Sequence, residues 1–239
     1  MNPRRIIGSV LATALAATSL GVVATAAAPA QAADPVQTRI VSSSADRGVI
    51  SSYSTPVKYG DSINVNVNVE GLVSGEWKQI YAGSVTVTEQ LASGAAPTTV
   101  ASNTSAYVYD NFTARGNATY TVTYAGGTSG SGSTAVSYAP TALTIAGPPV
   151  QRKLTTKTIS GKRAGFKGKL SPAVKTKITV LKKHGKKFKK FKVLRSKKNG
   201  RFTVVLPAPR RGKFHWRIIF AGDSQFVASA IQGTTYKGF

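Results

Sequence analysis

Apolar and polar residues alternate along much of the chain. In residues 62–70 (SINVNVNVE), every second position is isoleucine or valine, and serine, asparagine or glutamate stands between them. This period of two predicts a β-strand with one buried face. The alternation returns in residues 85–87, 107–109 and 120–124, with clusters of glycine, serine, asparagine and aspartate between them. Short strands at this spacing predict an antiparallel β-sandwich.

The second half of the chain repeats the pattern. Alternating segments at residues 163–170, 178–180, 191–193 and 202–206 predict four further strands. Glycines inside the first of these segments indicate a bend or a close backbone approach. Two turns separate the later segments, one at His184-Gly185 and one at Asn199-Gly200, and an Asn-Gly pair is a strong hairpin signal.

The clearest strand covers residues 213–220 (KFHWRIIF). Its apolar side chains face one way, and they are the candidate core residues Phe214, Trp216, Ile218 and Phe220. Lys213, His215 and Arg217 face the other way. We therefore expect an aromatic face packed in the core and a cationic face in solvent.

The two halves also resemble each other. Aligning Tyr124-Ala125-Gly126 with Phe220-Ala221-Gly222 places Tyr120 over Trp216 at a constant offset of 96 residues (220 − 124). A duplicated β-sandwich explains this similarity. The predicted organisation is an all-β chain with two tandem domains, at residues 33–146 and 153–239, joined by a Pro/Gly linker at residues 147–152.

The run RRGKFHWRIIFAGDSQFVAS (residues 210–229) resembles the closing strands of bacterial Ig-like repeat domains. The preceding run, residues 178–209, is similar to their middle strands, and TPVKYGDSINVNVNVEG in the first half matches the pattern more loosely. The resemblance implies tandem secreted or surface Ig-like sandwiches that serve in spacing, adhesion or polymer binding. It transfers no catalytic residue to this chain.

Residues 1–32 predict a secretory signal peptide. An arginine pair precedes a stretch of apolar and small residues, and Ala30-Gln31-Ala32 has the small-x-small form that signal peptidase cleaves. We expect an exported product, extracellular or associated with the cell wall. Glycine, serine and threonine interrupt the apolar stretch, so a retained membrane anchor is the weaker interpretation. The arginine pair leaves the general and the twin-arginine export routes open.

Charge divides the mature chain sharply. Residues 33–150 carry 5 basic and 7 acidic residues, a net charge of −2, whereas residues 151–239 carry 25 basic residues and one acid, a net charge of +24. Charge of one sign on one region creates a long-range field and says little about fold. The chain has no cysteine, which excludes disulfides, thiolate metal sites and a cysteine-anchored lipoprotein.

The densest charge lies in residues 182–192, where 7 of 11 positions are lysine and two are phenylalanine. We expect this region to attract anionic polymers such as wall polymer, acidic polysaccharide or extracellular nucleic acid, without sequence preference. The alternative is a solvated edge whose lysines prevent pairing between sheets. The candidate polyanion-binding residues are Lys182, Lys183, Lys186, Lys187, Lys189, Lys190, Lys192, Arg195, Lys197, Lys198, Arg210 and Arg211.

Catalytic chemistry lacks its usual residues. Both histidines lie among cationic residues, and the chain has no Gly-x-Ser-x-Gly motif and no clustered carboxylates for a metal. Pairs of acids such as Glu89 and Asp110 meet the needs of a glycosidase only if folding brings them together. We therefore predict a non-catalytic binding protein without cofactor or metal. The competing hypothesis is a structural spacer or adhesin subunit that recognises a protein through an exposed apolar patch on the first half.

Overall fold

The computed structural model describes residues 34–159 and 164–236, so the predicted signal peptide lies outside the described residues. Asp34–Phe239 forms one compact unit. Its secondary structure is almost entirely β-strand, with one short 3-10 turn at Gly132–Thr134. The predicted all-β fold is therefore confirmed.

The first half contains two main antiparallel sheets. In the larger, β4 is the hub and pairs with β1, β2, β5 and β8, while the smaller has the order β12-β9-β6-β7. A further short pair joins β10 and β11. The strands are β1 Thr38–Ser42, β2 Ile50–Ser51, β3 Val57–Lys58, β4 Ser62–Val73, β5 Glu76–Gln79, β6 Val85–Leu91, β7 Thr98–Asn103, β8 Tyr107–Thr113, β9 Ala118–Tyr124, β10 Gly127–Ser129, β11 Val136–Tyr138 and β12 Thr141–Ala146.

The alternation in the sequence builds the core of this half. Ile63, Val65, Val67 and Val69 on β4 are at most 1% exposed, and they pack with the inward residues of β6 and β9. The asparagines between them are half-buried and face the opposite side of the sheet. Because side chains alternate across a strand, a single run of residues supplies both the core and an outer face.

The second half contains two further antiparallel sheets, with the orders β14-β15-β18 and β17-β16-β19-β20. They enclose a separate hydrophobic cluster built from inward residues of β15, β16, β18 and β19. The strands are β13 Val150–Gln151, which pairs with the first half, β14 Lys153–Thr158, β15 Ala164–Ser171, β16 Lys177–His184, β17 Lys187–Arg195, β18 Arg201–Leu206, β19 Phe214–Phe220 and β20 Ser229–Thr235.

The four candidate core residues of β19 differ in how deeply they are buried. Phe214, Ile218 and Phe220 are buried in the second cluster. Trp216 is only partly buried, although its ring packs on Phe166 with centroids 5.4 Å apart. Its ring lies against Gly233 on β20, where a Cβ atom would lie 2.7 Å from the Cζ2 atom of the tryptophan.

A glycine on β15 explains one of the tight approaches expected from the sequence. A Cβ atom on Gly168 would lie 2.2 Å from the Cζ atom of Phe202, which is far below van der Waals contact. Phe202 thereby crosses over the backbone of the neighbouring strand and packs its ring against Phe220, with centroids 5.5 Å apart. Only glycine accommodates this packing.

The segment at residues 147–152 contains a paired strand. β13 runs parallel to β3, with the amide of Val57 donating to the carbonyl of Pro149 at 2.9 Å. Val150 is fully buried in the core of the first half. Phe226, from the loop after β19, is also buried there, at 1% exposure. The two halves are therefore held together by backbone hydrogen bonds and by a shared core residue.

Candidate anion-binding surface

The hairpin formed by β16 and β17, the basic hairpin, brings like charges together. Its register pairs Lys177 with Arg195 and Lys182 with Lys189 across the two strands. Like charges directly opposite each other in an antiparallel pair are destabilising. The lysines at the turn, Lys186 and Lys187, are also exposed, so the end of the hairpin carries concentrated positive charge.

Aromatic rings pack between this hairpin and β19. A β-bulge leaves Phe191 without a partner on β16, and its ring packs against Phe214 with centroids 5.2 Å apart. The guanidinium carbon of Arg217 lies 4.4 Å from the ring centroid of Phe188. Such contacts favour a cation over an aromatic face and restrain its position.

A second cationic surface covers the outer side of the three-stranded sheet. Cross-strand pairs there join Lys157 to Lys167 and Lys169 to Arg201, and the region forms an open concavity of about 740 Å³. We call this surface the basic face, and its cations are Lys157, Lys167, Lys169, Arg195, Lys197 and Arg201.

Four members of the basic face were missed in the sequence analysis. Lys167 and Lys169 alternate with buried Phe166 and Leu170, which identifies them as outward residues of one strand. The identity of the neighbouring strands decides which other cations join them. That pairing is set by tertiary structure, so no local pattern joins Lys157 and Arg201 to them.

The predicted residues fall into three groups. Seven lysines lie on the basic hairpin, and Arg195 and Lys197 line the concavity of the basic face. Lys198 occupies the exposed turn before β18, and Arg210 and Arg211 lie in the exposed loop between β18 and β19. Lys192 differs from the other hairpin lysines because its ammonium group donates to the carbonyl of Val205, and burial lowers its pKa.

Acidic residues neutralise very little of this charge. Asp223, the one acid of the second half, accepts a hydrogen bond from Arg152 at 2.7 Å. Burial raises the pKa of the Asp223 carboxyl, but Arg152 and the amides of Phe226 and Gln225 outweigh that effect and hold the pKa below its usual value. Among the residues that the structure describes, no cation of the basic hairpin or basic face forms an ion pair.

Glu89 and His215 each contact neighbouring side chains. Glu89 is buried and accepts hydrogen bonds from Arg115 and from the Tyr120 hydroxyl, the latter at 3.0 Å. His215 lies 2.9 Å from the Thr234 hydroxyl. Within residues 34–159 and 164–236, no group of three or more metal-ligating side chains comes together. No helix in the described part of the chain is long and apolar enough to cross a membrane.

No protein-family model matches the chain, and no curated protein matches it.

Proposed function

We propose that this protein is an exported, non-catalytic binding module whose second half holds anionic polymers electrostatically. The observation that carries the proposal is the pairing of like charges across neighbouring strands, with one acid against 25 basic residues in this half. Each such pair costs free energy in the free protein. A bound polyanion supplies the missing negative charge and removes that cost.

The chemistry of the surface favours a polymer over a small anion. The cations are spread along strands and across two surfaces, and the concavity of the basic face is wide and open. A polymer with regularly spaced phosphates or carboxylates engages several of these cations at once and releases its condensed counterions. Binding of this kind is strong at low salt and weakens steeply as salt increases.

The residue types also define the specificity. Most of the candidate residues are lysines, which act as point charges and lack the forked geometry that arginine offers to a base or a carboxylate. The surface is made of strands, and the described residues contain no helix that enters a DNA groove. We therefore expect little preference for sequence, with wall polymer, acidic polysaccharide and extracellular DNA all bound.

The test measures affinity across a salt series with the full mature chain. Lys157→Gln, Lys167→Gln, Lys169→Gln and Arg201→Gln together remove four charges from the basic face. If each contacts one phosphate, the slope of log affinity against log salt for duplex DNA should fall by about 0.9 per residue. A second variant, Lys186→Gln, Lys187→Gln, Lys189→Gln and Lys190→Gln, tests the basic hairpin in the same way.

A matched control changes net charge equally but elsewhere. Arg39→Gln, Arg47→Gln, Lys58→Gln and Lys78→Gln remove four positive charges from the first half. This control should leave the salt slope almost unchanged. Binding that ignores salt, or equal losses in all three variants, would contradict the proposal, because it would show that net charge alone or another region governs binding. Teichoic acid and an acidic polysaccharide serve as further probes.

A further inference from the structure

The outer face of the β4–β8 sheet in the first half has an entirely different chemistry. Three asparagines on β4 stand opposite aromatic and amide residues on β8, in the pairs Asn68–Tyr107, Asn66–Tyr109 and Asn64–Asn111. The apolar residues between these positions on β4 point into the core. Tyr81, after β5, adjoins Tyr107. We call this surface the tyrosine–asparagine face, and its members are Asn64, Asn66, Asn68, Tyr81, Tyr107, Tyr109 and Asn111.

Its tyrosines form a connected and exposed strip. The rings of Tyr107 and Tyr109 have centroids 5.5 Å apart, and those of Tyr81 and Tyr107 lie 6.3 Å apart. Tyr81 is 64% exposed and Tyr109 is 54% exposed, although Tyr120 and Tyr124 of the same half are buried. Three adjoining rings at a surface offer a rigid, amphipathic contact area that loses little conformational entropy on binding.

The amide groups beside the rings have unused hydrogen-bonding capacity. The Tyr109 hydroxyl donates to Oδ1 of Asn68 at 2.5 Å, which orients the Asn68 amide and leaves its nitrogen without a partner among the described residues. Nδ2 of Asn64 also has no partner in residues 34–159 and 164–236, but it is buried, so Asn68 and not Asn64 offers its amide nitrogen to a ligand. An external hydroxyl can therefore accept a hydrogen bond from the amide nitrogen of Asn68.

Charge excludes the polyanion of the second half as the ligand here. None of the seven members of the tyrosine–asparagine face is charged, and the first half has a net charge of −2. An anionic polymer meets no cation among the members of this face. A neutral polyol, in contrast, makes both ring contacts and hydrogen bonds. Sugar rings present an apolar C–H face together with a rim of hydroxyls, which are donors and acceptors that match phenols and carboxamides.

We propose that the tyrosine–asparagine face binds an uncharged polysaccharide. Pyranose rings pack on the strip formed by Tyr81, Tyr107 and Tyr109, and their hydroxyls bond to the amide of Asn68. This inference is independent of the polyanion proposal, because it uses another half of the chain and another kind of interaction. Together the two sites would let one molecule join a neutral glycan to an anionic polymer.

The test is affinity electrophoresis of the full mature chain in gels that contain hydroxyethyl cellulose, galactomannan or a soluble mixed-linkage β-glucan. Titration with neutral oligosaccharides at about 1 M salt then measures the affinity directly. At this salt concentration the Debye length is about 3 Å and polyanion binding is suppressed. Wild type should be retarded by at least one of these glycans. Tyr109→Ala should weaken binding about five- to tenfold, and Tyr107→Ala with Tyr109→Ala should abolish the retardation.

A matched control removes an exposed tyrosine outside this face. Tyr53 is 78% exposed and lies beside Arg47, so Tyr53→Ala should bind like wild type. Asn68→Ala tests the amide without removing a ring and should also weaken binding, even if the tyrosine double variant is poorly folded. Absence of retardation in every glycan, or equal retardation of wild type, the Asn68 variant and both tyrosine variants, would overturn the proposal. So would binding to a protein partner alone.

Discussion

The two halves of this protein are built from the same kind of strand but present opposite surfaces. In the first half, the positions between buried valines on β4 carry asparagine, and a buried carboxylate, Glu89, is matched by Arg115. In the second half, the positions between buried residues on β15 carry Lys167 and Lys169, and no acid faces them in the described residues. Inward residues form a hydrophobic cluster in both halves, which leaves the outward residues free to carry different chemistry.

The halves also differ in what they contribute to each other. Phe226 belongs to the second half in sequence, yet it is buried in the core of the first half. Its ring packs against Tyr59, with centroids 6.1 Å apart, and under the guanidinium of Arg152, 4.1 Å away. A backbone hydrogen bond of 2.7 Å from Asn117 to Gln225 lies beside it. One half therefore completes the core of the other.

The largest loss of stability is expected from a substitution of Phe226, the residue that the second half contributes to the core of the first half. Phe226→Ala should lower the free energy of unfolding by about 3–5 kcal/mol, because it removes a fully buried ring and leaves a cavity in the first half. Thermal and denaturant unfolding of the full chain should show the loss. Phe191→Ala is the control, since Phe191 is 43% exposed and should cost much less. Equal, small effects of the two substitutions would show that Phe226 does not stabilise the core of the first half.

A smaller change in stability is expected from a substitution on the basic face. Lys169→Gln removes the repulsion from Arg201 on the neighbouring strand, so it should raise stability by about 0.2–1 kcal/mol while it weakens polyanion binding. Opposite signs for stability and affinity are expected where charges are arranged for a ligand. Thr203→Gln, on the same outer face, is the control that leaves charge unchanged. A variant at Lys169 that is less stable than wild type would argue against the repulsion.

The smallest effect concerns the ion pair beside Phe226. Because the folded state holds the pKa of Asp223 below its ordinary value, the carboxylate contributes stability above that ordinary value and loses the contribution as pH falls through the lower, folded pKa. The Asp223 side chain is 44% exposed, so solvent screening limits the effect to less than about 1 kcal/mol. The stability difference between wild type and Asp223→Asn, measured from pH 7 to pH 2, should shrink toward acid. A constant difference would indicate that the charge contributes nothing.

Much of the fold follows from local patterns. The alternation in residues 62–70 and 213–220 identified β4 and β19, and the Asn199-Gly200 turn lies between β17 and β18 as expected. Phe214, Ile218 and Phe220 are buried as their spacing indicates. Trp216 has the same spacing but is only partly buried, which the period of two does not reveal. The alternation indicates on which face of a strand a residue lies, but it does not indicate how deeply each residue on that face is buried.

The chain itself therefore determined the all-β class, the position of the strongest strands and the concentration of positive charge after residue 151. Tertiary structure alone decided which strands lie side by side, and so it joined Lys157 and Arg201 to the lysines of β15 and placed Tyr81 beside Tyr107. It also placed Phe226 in the core of the first half. The physical reason is that side-chain alternation is a property of one strand, whereas a surface or a core is formed by residues that only long-range pairing brings together.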